Sequence, residues 1–343
     1  MNQITAIFCG FGKVGRALAR LLDERAFLLK EKYNIELICP AVITSKGAAV
    51  LPEGLPLAEL ADLADKGQRP EEHPIYGRIG FGVKDTTVEF APGVLFECTI
   101  TDMTTGEPGV THFMLGIQHG WHIVSANKGP LVHHFREFRE AAKKAGVRLK
   151  YSGAAAAALP TADIGLTCLA GSTILKIEGI LTTTTNLLLT RMAETGKSYS
   201  EALAEAQQMG LAETDPRLDV EGWDTANKII ILANTVMDCD LRLSDVPVSG
   251  ITQLDPAYVQ FVKENGKAIK LLGIAERKGK TVAASVQPVE VDNTHSLFGV
   301  YGASKGIVFT TDTLGTITVL GGKPGPAGTA ASMLKDLINI YRE

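Results

Sequence analysis

The sequence predicts an α/β fold in which a doubly wound parallel sheet is followed by a second, α+β domain. The chain has 343 residues, which is room for about two domains. Short apolar runs alternate with helical segments over residues 1–150, whereas the second half has longer helices between separate strand-like runs. Such alternation is typical of a parallel sheet covered by helices on both faces.

The composition excludes several other classes of protein. Hydrophobic residues make up 45% and charged residues 21% of the chain, a globular mixture that argues against disorder, collagen and coiled coil. The net charge of −4 provides no positive field for nucleic acid. The five cysteines are widely spaced, as expected of reduced thiols in a cytoplasmic protein. We also expect no membrane partner, because no apolar run has the length of a membrane span or the pattern of a signal peptide.

The first predicted strand and helix surround a glycine-rich turn. Residues 3–9 are apolar and rich in β-branched and aromatic side chains, and Gly10-Phe11-Gly12-Lys13-Val14-Gly15 follows directly. In this strand–turn–helix context the GxGxxG pattern is typical of a Rossmann-like dinucleotide site. The first glycine permits the tight turn, the second lets a pyrophosphate approach, and the third lets the helix pack on the strand. A tight turn without a ligand is the alternative.

The end of the second predicted strand, residues 35–44, bears on the choice of dinucleotide. An NAD site usually has an acidic residue here, which binds the ribose 2′-hydroxyl. This chain continues with Ser45 and Lys46, a hydroxyl and a cation that suit a 2′-phosphate better. We therefore expect NADP rather than NAD, with a solvated loop charge as the alternative interpretation of Lys46.

Further alternation completes the predicted sheet. The expected elements are helices at 57–67 and 111–120 and strands at 94–101 and 122–127. Thr99 and Lys128 lie at the carboxyl ends of these two strands, and open α/β sheets bind ligands at that edge. Position alone also fits a solvated loop charge at Lys128.

In the second half, strand-like runs between long helical segments predict a separate sheet with helices on one face. The expected elements are strands at 174–189, 281–291 and 306–320 and helices at 198–210 and 223–237. Residues 321–328 have the composition of a loop and precede a C-terminal helix with Thr329 as the expected N-cap.

Two polar segments of the second half are candidate sites. Five carboxylates crowd the segment from Glu213 to Lys228, and Asp224 and Lys228 are four residues apart, so they lie on one helix face. A lysine held by a carboxylate can protonate a carbonyl oxygen as it becomes an alcohol, although acids and such ion pairs are also ordinary at helix starts. Hydroxyls of residues 182–185, such as Thr184, can hold a small polar substrate, unless they reflect only β-propensity.

Taken together, these motifs resemble homoserine dehydrogenase over essentially the whole chain. The matching segments are, in order, GFGKVG (10–15), TGEPGVTHF (105–113), SANKGPL (125–131), GILTTTTNLLL (179–189), AETDPRLDVEGWDTANKIIILA (212–233) and GTAASMLKDL (328–337). The fifth segment is the most specific. The resemblance is to the short members that have no fused kinase or regulatory domain.

The resemblance implies a dinucleotide-binding domain of residues 1–150 completed by 322–343, and a substrate-binding and dimerisation domain of residues 151–321. It implies a cytoplasmic homodimer that reversibly reduces L-aspartate 4-semialdehyde to L-homoserine with NADP or NAD, a step of threonine and methionine biosynthesis. Residue by residue, Gly10 to Gly15 match the pyrophosphate turn, and Thr99 and Lys128 match positions near the nicotinamide ribose and the substrate. Glu213, Asp224 and Asp219 match the substrate-binding carboxylates. Lys228 matches the proton donor, and Lys128, beside it, is the second expected catalytic residue.

Two segments depart from the family pattern. Residues 152–160, SGAAAAALP, replace a glycine-rich run, and residues 182–186, TTTTN, replace an Asn-Gly-Thr-Thr-Asn-like turn. The added Cβ atoms disfavour positive φ, so either the backbone is rearranged or the substrate is another small hydroxy acid or amino alcohol. An NADP-sensing dimer without turnover is a further alternative, against which the complete set of carboxylates and lysines argues.

The glycine-rich run of the family also supplies backbone oxygens to a monovalent cation. Because carbonyl ligands do not depend on side chains, the resemblance leaves open a sodium site on Ser152, Ala155, Ala157 and Leu159.

Overall fold

The computed structural model describes residues 2–342, which divide into two compact units. Unit 1 runs to Ala158 and resumes at Gly325, and unit 2 covers Leu159–Pro324. Unit 1 is therefore discontinuous in sequence, and its breaks at 158/159 and 324/325 lie after the boundaries expected at 150/151 and 321/322.

Unit 1 contains a seven-stranded sheet. Its strands are β1 (Asn2–Cys9), β2 (Ile35–Ile43), β3 (Gly47–Val50), β4 (Gly77–Ile79), β5 (Val94–Glu97), β6 (His122–Ser125) and β7 (Leu149–Lys150). Their order is β4-β3-β2-β1-β5-β6-β7, and the five strands from β2 to β7 in that order pair in parallel. The predicted doubly wound parallel sheet is confirmed. The antiparallel extension by β3 and β4 was not expected, because glycine and alanine give a weak strand signal.

Helices follow the parallel strands of unit 1 and cover its core. They are α1 (Lys13–Glu24), α2 (Ala26–Tyr33), α3 (Leu57–Asp65), α4 (Val83–Glu89), α5 (Gly109–Gln118), α6 (Gly129–Ala145) and the single turn α7 (Ser152–Ala155). The core buries side chains of both layers, such as Phe8 and Phe96 from the sheet and Leu18 from α1. The helices thus shield the apolar faces of the sheet from water.

Unit 2 contains an antiparallel sheet with helices. Its strands are β8 (Ile174–Ile180), β9 (Ala268–Lys278), β10 (Thr281–Val291), β11 (Gly306–Thr311) and β12 (Thr316–Leu320), in the order β10-β9-β8-β11-β12. Its helices are α8 (Thr183–Thr195), α9 (Tyr199–Gln208), α10 (Arg217–Val220), α11 (Trp223–Val236) and α12 (Pro256–Glu264). The predicted α+β class of the second half is confirmed.

Several predicted elements of unit 2 have different bounds. The run 174–189 divides into β8 and α8, because a short apolar run such as 187–189 fits a buried helix face as well as a strand. The run 306–320 is a hairpin of β11 and β12 that turns near Gly315. The strand β9, which pairs with both β8 and β10, was not predicted.

The last helix, α13 (Gly325–Arg342), belongs to unit 1. The expected loop at 321–328 is confirmed only for 321–324, because α13 starts at Gly325. The expected N-cap at Thr329 is wrong, since the Thr329 hydroxyl donates to the Gly325 carbonyl at 3.4 Å within the helix. Burial of Met333 and Leu337 in the core of unit 1 outweighs the helix-breaking composition of this segment. At 18 residues α13 is the longest described helix, and no helix among residues 2–342 combines the length and apolar character of a membrane span.

Candidate functional site

The glycine turn lies where the parallel sheet of unit 1 reverses its strand order. β1 pairs with β2 on one side and with β5 on the other, and open α/β sheets bind ligands at such a point. Gly10 follows β1 with a φ of +90°. A Cβ on it would lie 2.7 Å from the backbone of Cys98 and Thr99. Both the backbone conformation and the close approach therefore require glycine.

The other two glycines of the turn have different surroundings. A Cβ on Gly15 would lie 2.6 Å from the Gly10 carbonyl oxygen, whereas a Cβ on Gly12 would meet nothing within 4 Å. Gly12 is the N-cap of α1, and the first N–H groups of a helix, here starting with Lys13 and Val14, lack partners within the helix and attract phosphate. The turn thus packs tightly on one side and leaves open space on the other.

A cavity of about 760 Å³ opens over this turn, a size typical of cofactor sites. Of the predicted cofactor residues, its lining includes Gly10, Phe11, Gly12, Ser45, Lys46 and Thr99, and does not include Lys13, Val14, Gly15 or Lys128. The cavity therefore joins the glycine turn to the carboxyl ends of β2 and β5.

Three cationic side chains line the cavity. Lys46 follows β2, and Arg16 and Arg69, which the sequence alone did not single out, line the same cavity. Arg16 pairs with Asp65 at 2.8 Å. The carboxylate of Glu71 also lines the cavity and accepts a hydrogen bond from the Thr44 hydroxyl at 2.8 Å. Guanidinium and ammonium groups at this place suit a phosphate.

A hydrogen-bonded cluster lies beneath Thr99. The fully buried Glu97 accepts hydrogen bonds from the Thr99 backbone N–H at 2.8 Å and from the Thr99 hydroxyl, and its Oε2 lies 2.7 Å from Nδ1 of His112. The ligand atoms of Cys9, Glu97 and His112 lie within 4.8 Å of one another, as in a metal-binding set. Burial and then the charge of Glu97, however, raise the pKa of the Cys9 thiol well above its usual range. The cluster therefore fits an internal network that fixes Thr99.

Lys128 lies at the same edge of the sheet and is half-buried. It precedes α6 as the N-cap residue, and its backbone N–H donates to the Thr101 hydroxyl at 3.4 Å. The buried Asn127 donates to the Thr99 hydroxyl at 3.0 Å. Hydrogen bonds thus connect the segments that follow β5 and β6.

In unit 2, Lys228 is held at the end of β8. Its ammonium pairs with the Asp224 carboxylate one helical turn earlier on α11 and donates to the Leu181 carbonyl at 2.9 Å. The side chains of Lys228 and Asp224 are 15% and 14% exposed, so the pair is largely shielded from water. The i,i+4 pair that the spacing predicted is present, together with a backbone acceptor that the sequence did not reveal.

Further charged groups surround this pair. Burial, and then the charge of Asp224, raises the pKa of Asp219. The Thr184 hydroxyl donates a hydrogen bond to Asp219, and the charge of the exposed Glu213 adds to the rise. Unit 2 therefore brings together the predicted Thr184, Glu213, Asp219, Asp224 and Lys228. Lys305, a nearly buried lysine whose ammonium interacts with that of Lys228, belongs to the same cluster and was not expected.

The departures from the family pattern affect the backbone less than expected. Residues 183–186 form the first turn of α8, following the extended Thr182, so the threonines need no positive φ. Within 154–158, only Ala157 has a positive φ, of 52°.

The part of the predicted sodium site that lies in unit 1 is occupied by internal contacts. Ser152 donates from its N–H and its hydroxyl to the buried Asp336 at 2.8 and 2.7 Å, and the Ser332 hydroxyl donates to the Ala157 carbonyl at 2.6 Å. The Lys335 ammonium lies 2.8 Å from the Ser152 hydroxyl. The same ammonium lies 3.2 Å from the Asp336 carboxylate, and the sodium site stays a prediction.

The dinucleotide cavity and the lysine–carboxylate cluster together define an NAD(P)-dependent oxidoreductase. Residues 160–338 match the family model described as homoserine dehydrogenase, and the chain is 36% identical to the homoserine dehydrogenase of Methanocaldococcus jannaschii over 98% of both chains. The chain belongs to the homoserine dehydrogenase family. This family interconverts L-aspartate 4-semialdehyde and L-homoserine, a step in the biosynthesis of threonine and methionine.

Two further comparisons agree. The chain is 33% identical to the NAD(+)-dependent homoserine dehydrogenase of Pseudomonas canavaninivorans, over 100% of this chain and 97% of that one. A crystal structure of an Archaeoglobus fulgidus protein assigned to the same family matches with a TM-score of 0.86 and 32% identity over 99% of both chains. The likeness thus extends over both units.

Proposed function

We propose that the protein oxidises L-homoserine and reduces L-aspartate 4-semialdehyde with Lys228 as the group that exchanges the proton with the substrate oxygen. The observation that carries this proposal is the Lys228 ammonium, held by the Asp224 carboxylate and the Leu181 carbonyl. A lysine fixed in this way keeps one position for a reacting oxygen, which is the requirement for general acid–base catalysis.

Unit 1 provides the cofactor site in this proposal. The nicotinamide dinucleotide supplies or accepts the hydride when it is bound. The open space over Gly12 and the start of α1 receive the pyrophosphate, and Thr99 and Lys128 serve the nicotinamide end. Glu97 fixes the Thr99 hydroxyl from below, so this end of the site is preorganised.

The groups of unit 2 have complementary charges. During reduction, negative charge develops on the carbonyl oxygen, and the Lys228 ammonium stabilises this charge and donates its proton. The carboxylates of Asp219 and Glu213 bind the substrate ammonium, and the Thr184 hydroxyl holds Asp219. Asp224 holds the Lys228 ammonium in place through their ion pair.

The decisive experiment measures turnover of L-homoserine with NADP and with NAD. We expect the purified protein to be active, and Lys228→Ala to lower kcat by about 10²- to 10⁴-fold, the usual contribution of a general acid or base. Lys278→Ala, which removes an exposed lysine paired with Glu276 in the same unit, is the control. Full turnover by Lys228→Ala would exclude the assigned role, and activity restricted to another small hydroxy acid or amino alcohol would exclude the substrate.

For the cofactor, we propose a preference for NADP, supported by Lys46 after β2 and by Arg16 and Arg69, which line the same cavity. Lys46→Ala should lower kcat/KM for NADP by about tenfold, as loss of one charge-assisted contact does, and leave kcat/KM for NAD nearly unchanged. Lys32→Ala on α2 is the control. An equal loss with both cofactors would show that Lys46 does not bind the 2′-phosphate.

For the assembly and location, we propose a homodimer in the cytoplasm. The widely spaced cysteines, of which the structure pairs none, support a reducing compartment. The edge strand β12 supports the dimer, because it exposes apolar side chains such as Leu320, which is 57% exposed.

A further inference from the structure

We propose that Lys305 binds the carboxylate of the amino-acid substrate and thereby selects substrates that carry both an ammonium and a carboxylate. This inference rests on the proposed function, because it assigns a role within the same charged cluster of unit 2. Lys305 lies immediately before β11 and is 4% exposed.

The pairing of β8 with β11 places Lys305 beside Lys228. In this antiparallel pair Gly306 is opposite Ile180, so Lys305 comes next to Leu181. The Leu181 carbonyl is the acceptor for the Lys228 ammonium. On the other side, the Lys305 carbonyl accepts a hydrogen bond from the Gly321 N–H at 3.0 Å. The backbone of Lys305 is thus fixed where the proton-exchanging lysine is anchored.

The loop before Lys305 is also fixed. The side-chain amide of the buried Asn186 donates to the carbonyls of Val300, Gly302 and Ser304 at 3.2, 3.0 and 3.2 Å. Lys270 donates to the Val300 carbonyl, and its ammonium lies 4.2 Å from the centre of the Tyr301 ring. Lys305 therefore presents its charge from a rigid element, which is the requirement for a specificity-determining residue.

The charges of the cluster complement an amino acid. Asp219 and Glu213 suit a substrate ammonium, and a buried lysine suits a carboxylate. Burial, and then the charge of Lys228, lowers the pKa of Lys305 to about 8, against the opposing effect of Asp224. A bound carboxylate would favour the charged form of the Lys305 side chain.

The test compares two unreactive ligands that differ only in the carboxylate: L-2-aminobutyrate and n-propylamine. Dissociation constants are measured by calorimetry on the full chain with NADP present. We expect Lys305→Met to weaken binding of L-2-aminobutyrate by about 10- to 100-fold, the effect of losing one charge-assisted bond, and to change binding of n-propylamine less than twofold. Lys305→Arg, which keeps the charge, should retain most of the discrimination between the ligands.

Lys278→Met is the control, because it removes an exposed lysine of the same unit that pairs with Glu276. We expect it to leave the ratio of the two dissociation constants unchanged. An unchanged ratio in Lys305→Met, or an equal change in Lys305→Met and Lys278→Met, would overturn the proposal.

Oxidation of L-homoserine by the unaltered protein is measured separately. We expect Lys305→Met to raise KM for L-homoserine more than it lowers kcat. If the unaltered protein does not oxidise L-homoserine but Lys305→Met still loses the discrimination, the substrate assignment fails and the role of Lys305 stands.

Discussion

Gly10 and Gly12 are two residues apart and serve different purposes. Gly10 has a positive φ and touches the backbone after β5, so its requirement for glycine arises within the protein. Gly12 has ordinary helix-cap geometry and empty space where its Cβ would lie. We propose that its requirement for glycine arises from a ligand that occupies that space.

We therefore predict opposite outcomes for two alanine variants. Gly10→Ala should lower the melting temperature markedly, because both the clash and the φ penalty act in the folded state. Gly12→Ala should melt within about two degrees of the unaltered protein, since surface changes without a lost contact usually have small effects, but should bind NADP at least tenfold more weakly. Thermal denaturation and cofactor titration check the pair, and normal NADP affinity in Gly12→Ala would contradict pyrophosphate binding over Gly12.

Asp219 is predicted to cost stability at neutral pH. Burial and the charge of Asp224 raise its pKa, so the folded protein disfavours the ionised form. The contribution of Asp219 to the free energy of unfolding is therefore most favourable below the ordinary aspartate pKa of about 3.9. This contribution is lost as the pH rises through the raised pKa, because the folded protein must then hold the disfavoured charge. Asp219→Asn should melt at a higher temperature than the unaltered protein at pH 7.5, and the difference should shrink towards pH 4.

The control for this measurement is Asp240→Asn, which changes an exposed aspartate. If Asp219→Asn were less stable at pH 7.5, the hydrogen bond from Thr184 would outweigh the burial of the charge.

At the scale of elements, α13 packs the C-terminal residues of the chain into the core of unit 1, which is formed mainly by N-terminal residues. Leu337 is fully buried there, and Asp336 binds the turn at Ser152. Leu337→Ala should lower the free energy of unfolding by about 2–5 kcal/mol, through lost burial and a residual cavity. Leu334→Ala, at a partly buried position of the same helix, should cost less, as denaturant unfolding can show. Equal losses would contradict the packing of α13.

Some helices and strands could be predicted from sequence patterns alone, and others could not. β1, β2 and α11 were predicted close to their observed bounds, because strand runs next to glycine and long helical periodicity are local signals. The division of 174–189 into β8 and α8 was missed, since local periodicity does not distinguish a short buried helix face from a strand. The start of α13 was missed because its helix depends on contacts with distant residues.

At the scale of the whole molecule, the proposed dimer makes a prediction about β12. An edge strand offers unpaired backbone groups for association, and β12 exposes Ile317 and Leu320 as well. We expect sedimentation at twice the mass of one chain, and Ile317→Lys should shift the protein towards the monomer. Lys323→Glu, a charge change beyond β12, is the control. A monomeric unaltered protein would contradict the proposal.

The sequence by itself determined the glycine turn, the alternation of strands and helices in unit 1 and the Lys228–Asp224 pair. Each depends on residues within a few positions of one another, so glycine spacing and helical periodicity are sufficient to reveal it. Only the tertiary structure decided which distant groups join these sites. Arg69 and Glu71 reach the cavity through the connection between α3 and β4, and Lys305 reaches Lys228 through the register of β8 and β11. Strand register and loop placement follow from the packing of the whole core, so no local pattern in the sequence contains them.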